Sequence, residues 1–536
     1  MATRRRAMLW ALALAHAWQA EGERDATVCS AGAEHSAAGV VARPVPKAPV
    51  RFPKELLDDR PADIMFSGYV NVTQEDFLFY WFIQAKSDAP ADAPVILWSN
   101  GGPGCTSMEG AVTEIGPLLL KGVKTGQGYT GRLSSNPFAW NQRAHVLLVD
   151  QPRYVGYSTG AGPFVLSSKD AAKDIVQFLR GWRRLFPELA ASRFVLASES
   201  YGGHFIPAFA EAIFNFNDRT PAETIQIAGM VFSSTCIDKH QQGLESFTRF
   251  AKKEKLLPSH ANPSSMSAAR YQVWSHINYL PNTYDYRLAS AGPCCGCMGY
   301  NYSDFDRWFT HLAVRKALNV CGDAGADSFA GCGAGCIVFP GEFDAYDDAD
   351  NVQTMSKVLE MKIPILMAYG MKDATCNYVG GYSIASSLRW AGAEQWANAP
   401  LQPFYLGHEV AGKEQSGGGL TWMQITEAGH MVPADQPRAI LLGINRLLDE
   451  VSVASGFQED FRLGPVMGLG RTYQTSSSTL VVLLLLTVLI SFSVVRYLSS
   501  SRIDHQPLYN SEAHGGVRHL QHSPPLLGLG ECTCLQ

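Results

Sequence analysis

A chain of 536 residues with 46% hydrophobic and 17% charged residues has the balance of a globular protein and the length to bury a large core. That balance excludes a wholly disordered, collagen-like or coiled-coil chain. A net charge of −5 with no long Lys/Arg tract excludes the electrostatic footprint of a nucleic-acid binder.

The N-terminus reads Arg4-Arg5-Arg6, then an apolar stretch through Met8, Leu9, Trp10, Leu12 and Leu14 that turns polar from Gln19, the layout of a signal peptide over residues 1–22. Residues 23–50, rich in Ala, Val, Pro and Gly without periodicity, read as a propeptide-like or loosely packed lead-in. From there, short β-branched and apolar runs recur before polar or Gly turns: Val95 to Trp98, Val146 to Val149, Phe194 to Ala197, Ile227 to Phe232, Ile363 to Tyr369 and Trp422 to Ile425. Helical patterns such as Ala171 to Trp182 lie between several of them. This alternation predicts an α/β protein with a mostly parallel central sheet flanked by helices. Residues 236–360 hold seven of the twelve cysteines and little alternation, and are expected to form a cysteine-rich cap insertion between core segments 51–235 and 361–452.

Beyond a linker over 453–478 nothing is charged from Thr472 to Val495, and the run is strongly apolar from Leu480. At 1.5 Å per residue that uncharged stretch would cover about 36 Å, enough to cross a hydrocarbon core. The expectation is one transmembrane helix over 479–495, a cytosolic tail over 496–536 and a lumenal or extracellular body, the single-pass type I arrangement. An oxidising lumen favours disulfides. Cys294, Cys295 and Cys297, or Cys332 and Cys336, could also be read as metal ligands, but Gly/Ala-rich flanks and no His at zinc-finger spacing favour disulfides, and no metal or other cofactor is required. Asn71 and Asn301 head N-glycosylation sequons.

The run Ser198-Glu199-Ser200-Tyr201-Gly202-Gly203 sets a serine directly after an apolar strand and before a helical pattern from His204 to Phe214. A strand-to-helix elbow strains its central residue and needs small residues two before and two after it, here Ser198 and Gly202. Ser200 would face a helix N-terminus, where N–H groups and the dipole favour a developing negative charge, although the same run alone also fits a serine N-cap. Upstream, the strand ending at Trp98 leads into Ser99-Asn100-Gly101-Gly102-Pro103-Gly104-Cys105, whose glycines let backbone N–H groups approach a ligand as an oxyanion hole requires. Phosphate-loop spacing is absent.

Together, the Asn100 to Cys105 loop and the Glu199 to Gly203 turn resemble the serine carboxypeptidase family, secreted or lysosomal α/β-hydrolases. Glu114-Ile115-Gly116-Pro117, Asn136 to Asn141 and Pro152 to Ser158 agree with it, so the similarity spans roughly residues 50 to 450. The resemblance implies an α/β-hydrolase fold and a triad in the order Ser, acid, His. After the Ile363 to Tyr369 run comes Gly370-Met371-Lys372-Asp373, where Met371 replaces the family's first Asp and Asp373 fits the catalytic one; Gly429-His430-Met431-Val432-Pro433 follows the last strand unchanged.

The implied activity is hydrolysis of the C-terminal peptide bond of peptides or proteins by Ser200, Asp373 and His430 through an acyl-enzyme, with the Gly102 and Tyr201 N–H groups as oxyanion donors. Asn100, the Gly101 N–H, Glu114 and Glu199 are assigned to the substrate carboxylate, the two glutamates sharing a proton, which predicts an acidic pH preference. Met431 is assigned to the leaving-residue pocket, Cys105 is expected to pair with Cys321, and Cys376 to be an unpaired thiol near the site. Some family members carry a C-terminal anchor, which points to a secretory or endolysosomal membrane. An acyltransferase or esterase on the same triad, or an inactive lumenal binding protein, are the alternatives.

Overall fold

The computed structural model describes residues 45–454 except 60, 88, 123–128, 291–299, 301–302, 321–328, 330–342 and 345–350, together with a strand pair at His35–Ser36 and Gly39–Val40. Its apolar runs assemble into an eleven-stranded sheet: β1 Ala48–Pro49, β2 Met65–Asn71, β3 Phe77–Ile83, β4 Val95–Ser99, β5 His145–Val149, β6 Arg193–Ser200, β7 Gln226–Thr235, β8 Ile365–Gly370, β9 Gln402–Leu406, β10 Glu409–Gly417 and β11 Leu420–Ile425. The spatial order is β9-β10-β11-β8-β7-β6-β4-β5-β3-β2-β1. The six strands from β11 to β5 run parallel, and antiparallel strands extend both sides.

The expected parallel sheet is therefore the centre of a larger mixed one, which is the α/β-hydrolase architecture. All six expected strands are present. β9 and β10 escape a reading by apolar runs because few of their residues are buried. β2 and β3 are apolar, but a short apolar run does not by itself separate strand from buried helix. The lead-in ends inside the fold: β1 pairs with β2, and Val50 and Phe52 are buried.

Successive residues of a strand face opposite sides of the sheet, and this alternation creates two core layers. In β3, Leu78, Tyr80 and Phe82 enter one layer while Phe79, Trp81 and Ile83 enter the other; in β6, Phe194 and Leu196 oppose Val195 and Ala197. Helices cover both sides: α1 Met108–Thr113, α2 Ser168–Leu185 and α3 Gly202–Arg219 follow strands of the first core segment. In α2 the Ser167 hydroxyl caps the N-terminus by accepting the Asp170 N–H, and Arg183 and Arg184 complement the dipole at the other end. Its Ile175, Phe178, Leu179 and Trp182 form one apolar stripe. Trp182 packs on Phe186 and Phe82 at ring separations of 4.8 and 5.3 Å.

The described part of the insertion is helical: α4 Leu244–Lys253, α5 Met266–Ile277, α6 Ser303–Thr310, α7 Leu312–Ala317 and α8 Asn351–Glu360. α9 Tyr378–Ser387 and α10 Pro437–Ala454 belong to the second core segment. Cys376 is not a free thiol: it forms a disulfide with Cys236. β7 and β8 are parallel neighbours, so the segments leaving their C-terminal ends emerge side by side, and residues 140 apart in sequence meet at a Cα separation of 5.1 Å. Cys105 is also disulfide-bonded, to a residue outside the described ones, where Cys321 lies too. Asn71 is exposed at the end of β2. Asn301, the signal peptide, the 479–495 span and the tail lie outside the described residues. Among the described residues no helix is long and apolar enough to cross a membrane.

Because Trp182 is fully buried in an aromatic cluster shared by α2 and three sheet strands, Trp182→Ala is expected to cost about 3–5 kcal/mol. Denaturant unfolding of the two proteins measures it.

Candidate active site

β6 delivers Ser200 at its C-terminal end with φ 56°, left-handed backbone that a serine adopts only when its surroundings enforce it. The enforcement is steric. A Cβ on Gly202 would stand 1.6 Å from Ser198 Oγ, and one on Gly203 2.2 Å from the Cys236 carbonyl oxygen. Ser198 is tolerated where the family pattern has glycine because its buried hydroxyl donates to the Ser99 carbonyl of neighbouring β4. The glycine-rich loop then lies directly on the elbow: a Cβ on Gly101 would meet the Tyr201 nitrogen at 2.5 Å and the Glu199 oxygen at 2.7 Å. Gly102, next in the loop, has φ 116°.

A buried carboxylate that sequence reasoning passed over holds this loop. Asp150, just after β5, accepts the Thr106 hydroxyl at 2.6 Å and the Ser107 N–H at 2.8 Å on one oxygen and the Tyr157 N–H at 2.9 Å on the other. Burial pushes its pKa up to about 6 even though these three donors pull it down. Ser107 continues the framework, donating its hydroxyl to Val149 and accepting the Asn100 N–H. The Trp98 indole donates to Asn100 Oδ1 at 2.6 Å, which fixes the amide so that its NH₂ points at Glu199 Oε1, 2.9 Å away.

Glu199 and Glu114 are both buried, and their charges act on one another strongly enough to oppose ionisation of both. Burial drives the Glu199 carboxyl well above the usual range, and the charges of Glu114 and Glu109 drive it further, against a smaller pull from His430. Glu109, a third buried carboxylate, sits in the first turn of α1.

Asp373 follows β8 and His430 follows β11, adjacent parallel strands that bring the two together across 57 residues. Asp373 Oδ1 accepts the N–H groups of Thr375 and Cys376, and Oδ2 lies 2.7 Å from His430 Nδ1. An ionised carboxylate only accepts, so Nδ1 carries the hydrogen and Nε2 is left as the basic nitrogen. That Nε2 is buried and has no hydrogen-bond partner among the described residues. Burial pushes the imidazole pKa down, but the Asp373 charge and hydrogen bond, with the charges of Glu199 and Glu109, outweigh it and leave the pKa raised. The Tyr284 ring stacks on His430 with centroids 4.2 Å apart. Met431 is buried beside it, and the Tyr201 hydroxyl bonds Asp344 of the insertion. Among the described residues no cluster of His, Cys, Asp or Glu is arranged to hold a metal ion.

A sequence model described as serine carboxypeptidase matches residues 53–281 and 282–450. This chain belongs to the serine carboxypeptidase family. It is 30% identical over 420 residues to carboxypeptidase Y homolog A of Leptosphaeria maculans, covering 72% of this chain and 73% of that one. It is 29% identical over 419 residues to a vacuolar serine-type carboxypeptidase of Saccharomyces cerevisiae, covering 71% and 78%. A crystal structure of a prohormone-processing carboxypeptidase from Saccharomyces cerevisiae superposes with a TM-score of 0.61 at 23% identity, over 76% of this chain and 95% of that one, a likeness of fold. The protein is a serine-type carboxypeptidase, and its relatives suit a lumenal or secretory compartment.

In this serine carboxypeptidase the structure joins Asn100, Glu114 and Glu199 into one polar group and Asp373 and His430 into another, with Gly101 against the elbow that carries Ser200. Asp150, Glu109, Tyr284 and Cys236 were not singled out from the sequence. Asp150 lies directly after the Val146 to Val149 run and Glu109 four residues beyond Cys105, where their burial was the missing information; Tyr284 and Cys236 stand in the insertion. The elbow makes a direct prediction: Gly202→Ala is expected to destabilise by about 3 kcal/mol through overpacking against Ser198. The Ser198→Gly/Gly202→Ala double variant should recover most of that loss and of the activity, as read by thermal unfolding and peptide release.

Proposed function

We propose that Ser200, His430 and Asp373 act as a catalytic triad on the C-terminal peptide bond. Ser200 Oγ attacks the carbonyl carbon while its proton passes to His430 Nε2; the developing oxyanion is met by the Gly102 and Tyr201 N–H groups. The C–N bond then breaks, His430 gives the proton to the leaving amine, and the released C-terminal amino acid departs from an acyl-enzyme on Ser200. Water, losing a proton to His430, attacks the ester, and the shortened peptide leaves as Ser200 regains its proton. Asp373 keeps the imidazole in the tautomer that places the base on Nε2. Met431 lines the pocket of the leaving residue.

The observation that carries the exopeptidase reading is the burial of Glu199, next in sequence to Ser200 and held by Asn100, within the charge field of the buried Glu114, a setting in which the two share one proton. A protonated carboxyl there donates a hydrogen bond to the free carboxylate of the substrate, and the Asn100 amide and the Gly101 N–H complete its recognition. The pH dependence has two opposite limbs. Below the raised pKa of His430 the base is protonated and the rate falls; above the raised pKa of Glu199 the pair loses its proton, meets the substrate anion with full negative charge, and KM rises. Activity peaks between the two limbs, and the acidic preference rests on the Glu199 pair: once it holds its proton it no longer stabilises the imidazolium, which brings the acid limb down.

Release of the C-terminal residue from blocked dipeptides by the purified full-length chain, measured from pH 4 to 8, tests the reading. Ser200→Ala is expected to lose at least about a thousandfold in kcat. Glu199→Gln, whose amide neither ionises nor shares a proton, is expected to raise KM at acidic pH and to flatten its increase on the alkaline side. An unchanged alkaline limb would refute the shared-proton assignment, and organophosphate labelling of Ser200 without peptide release would point to acyl transfer.

We also propose that the uncharged stretch over 479–495 anchors the enzyme as a single-pass type I protein of a secretory or endolysosomal membrane, its catalytic body lumenal and its tail cytosolic. The full-length chain is expected to remain in the pellet when membranes are extracted with alkaline carbonate; release into the supernatant would reject the anchor.

A further inference from the structure

The insertion sends one short strap, residues 282–288, across the loops that carry Asp373 and His430, and it is bonded to both. The Thr283 carbonyl accepts the N–H groups of Ala374 and Thr375 at 3.0 and 3.1 Å, and the Tyr286 N–H donates to Lys372 at 3.1 Å. On the other loop the His430 N–H donates to the Tyr284 carbonyl at 2.7 Å, and Arg287 pairs with Asp285 and with Glu427 at 2.7 and 2.6 Å. The strap is itself fixed: buried Asn282 accepts the Tyr284 N–H at 2.8 Å, and Glu254 accepts the hydroxyls of Tyr286 and of Tyr378 at 2.7 Å each. A Cβ on Gly429 would stand 2.6 Å from the Tyr284 oxygen, so glycine beside His430 is what lets the strap come this close.

The consequence is at the imidazole. The Tyr284 ring lies over His430 with centroids 4.2 Å apart and planes 13° from parallel, and the Tyr300 ring backs it edge-on at 5.7 Å. We propose that Tyr284 is a positioning residue for His430, whose aromatic face fixes the ring orientation and favours the imidazolium that forms when Ser200 gives up its proton. This rests on the reading of His430 as the general base. A π face attracts a cation more than a neutral ring, so the contact strengthens as the imidazole gains charge, the condition for it to lower the barrier as well as hold the geometry.

The groups facing His430 divide the work. Asp373 from the acid loop holds Nδ1; Glu199 from the elbow and Glu109 from α1 act through space; Asp435 bonds the Gly429 N–H beneath the same turn; Tyr284 occupies a ring face, with Asp285 and Arg287 behind it. Once the Glu199 pair holds its proton, its part of the attraction for the imidazolium is lost, and Asp373, Glu109 and the Tyr284 face remain.

The test is steady-state kinetics of the full-length enzyme on a blocked dipeptide across the acid limb, for Tyr284→Leu, Tyr284→Phe and His430→Ala. Tyr284→Leu is expected to lose about tenfold in kcat, the scale of a desolvated cation–π contact, with KM within about twofold. Its acid limb should move to lower pH, because the imidazolium has lost a stabilising face. Tyr284→Phe should recover the rate to within about threefold and restore the limb. If Tyr284→Leu does not fold, Tyr284→pentafluorophenylalanine keeps the ring's shape but reverses its face potential, and should fall below Tyr284→Phe with the same acid-limb shift. An unchanged kcat in both the leucine and the fluorinated variants, a loss confined to KM, an unmoved acid limb, or a phenylalanine variant as impaired as leucine overturns the proposal. Any of these with an inactive His430→Ala leaves the triad standing; an active His430→Ala overturns the triad reading itself.

Discussion

Around Ser200 three backbone segments meet so closely that side chains have no room: a Cβ at Gly202 would fall within 1.6 Å of Ser198 Oγ, and one at Gly101 within 2.5 Å of the Tyr201 nitrogen. This crowding fixes Ser200 at positive φ and brings the glycine-rich loop over the start of α3. The remaining architecture serves that meeting point. Six parallel strands end on one edge, so loops distant in sequence converge there, which is where ligands bind in open α/β sheets.

Convergence alone would leave flexible loops, and two kinds of fastening stiffen them. One is the buried carboxylate of Asp150, which ties the glycine-rich loop to the turn after β5 through three donors. The other is the insertion, whose first cysteine bonds Cys376 three residues beyond Asp373, and whose 282–288 strap is hydrogen-bonded to both the acid loop and the histidine loop. The insertion is thus part of the frame of the loops that carry Asp373 and His430 as well as a covering for the sheet edge.

Different neighbours give chemically similar buried carboxyl groups different tasks. Asp373 accepts from two backbone N–H groups and lies against His430 Nδ1, so its neighbours are all donors. Glu199 has one amide donor and lies in the charge field of two other carboxyl groups, which together with burial push its pKa well above the ordinary range. The difference lies in what each oxygen faces, not in depth, since both groups are buried.

The sequence by itself determined the six central strands and the elbow, because local apolar runs and glycine spacing are dictated by backbone sterics within a few residues; Asp373 and His430 were marked out only by the resemblance of their loops to the family. Ser198 in place of glycine and Met371 in place of aspartate were visible there as departures, yet only the neighbouring Ser99 carbonyl explains how the first is accommodated. What the tertiary structure decided is everything that depends on distant segments becoming neighbours: the Cys236–Cys376 bond in place of a free thiol, the stacking of Tyr284 on His430, the anchoring role of Asp150 and the nearness of Glu109 to Glu199. None of these has a spacing to read, because strand order, and not distance along the chain, sets which residues share the edge of the sheet.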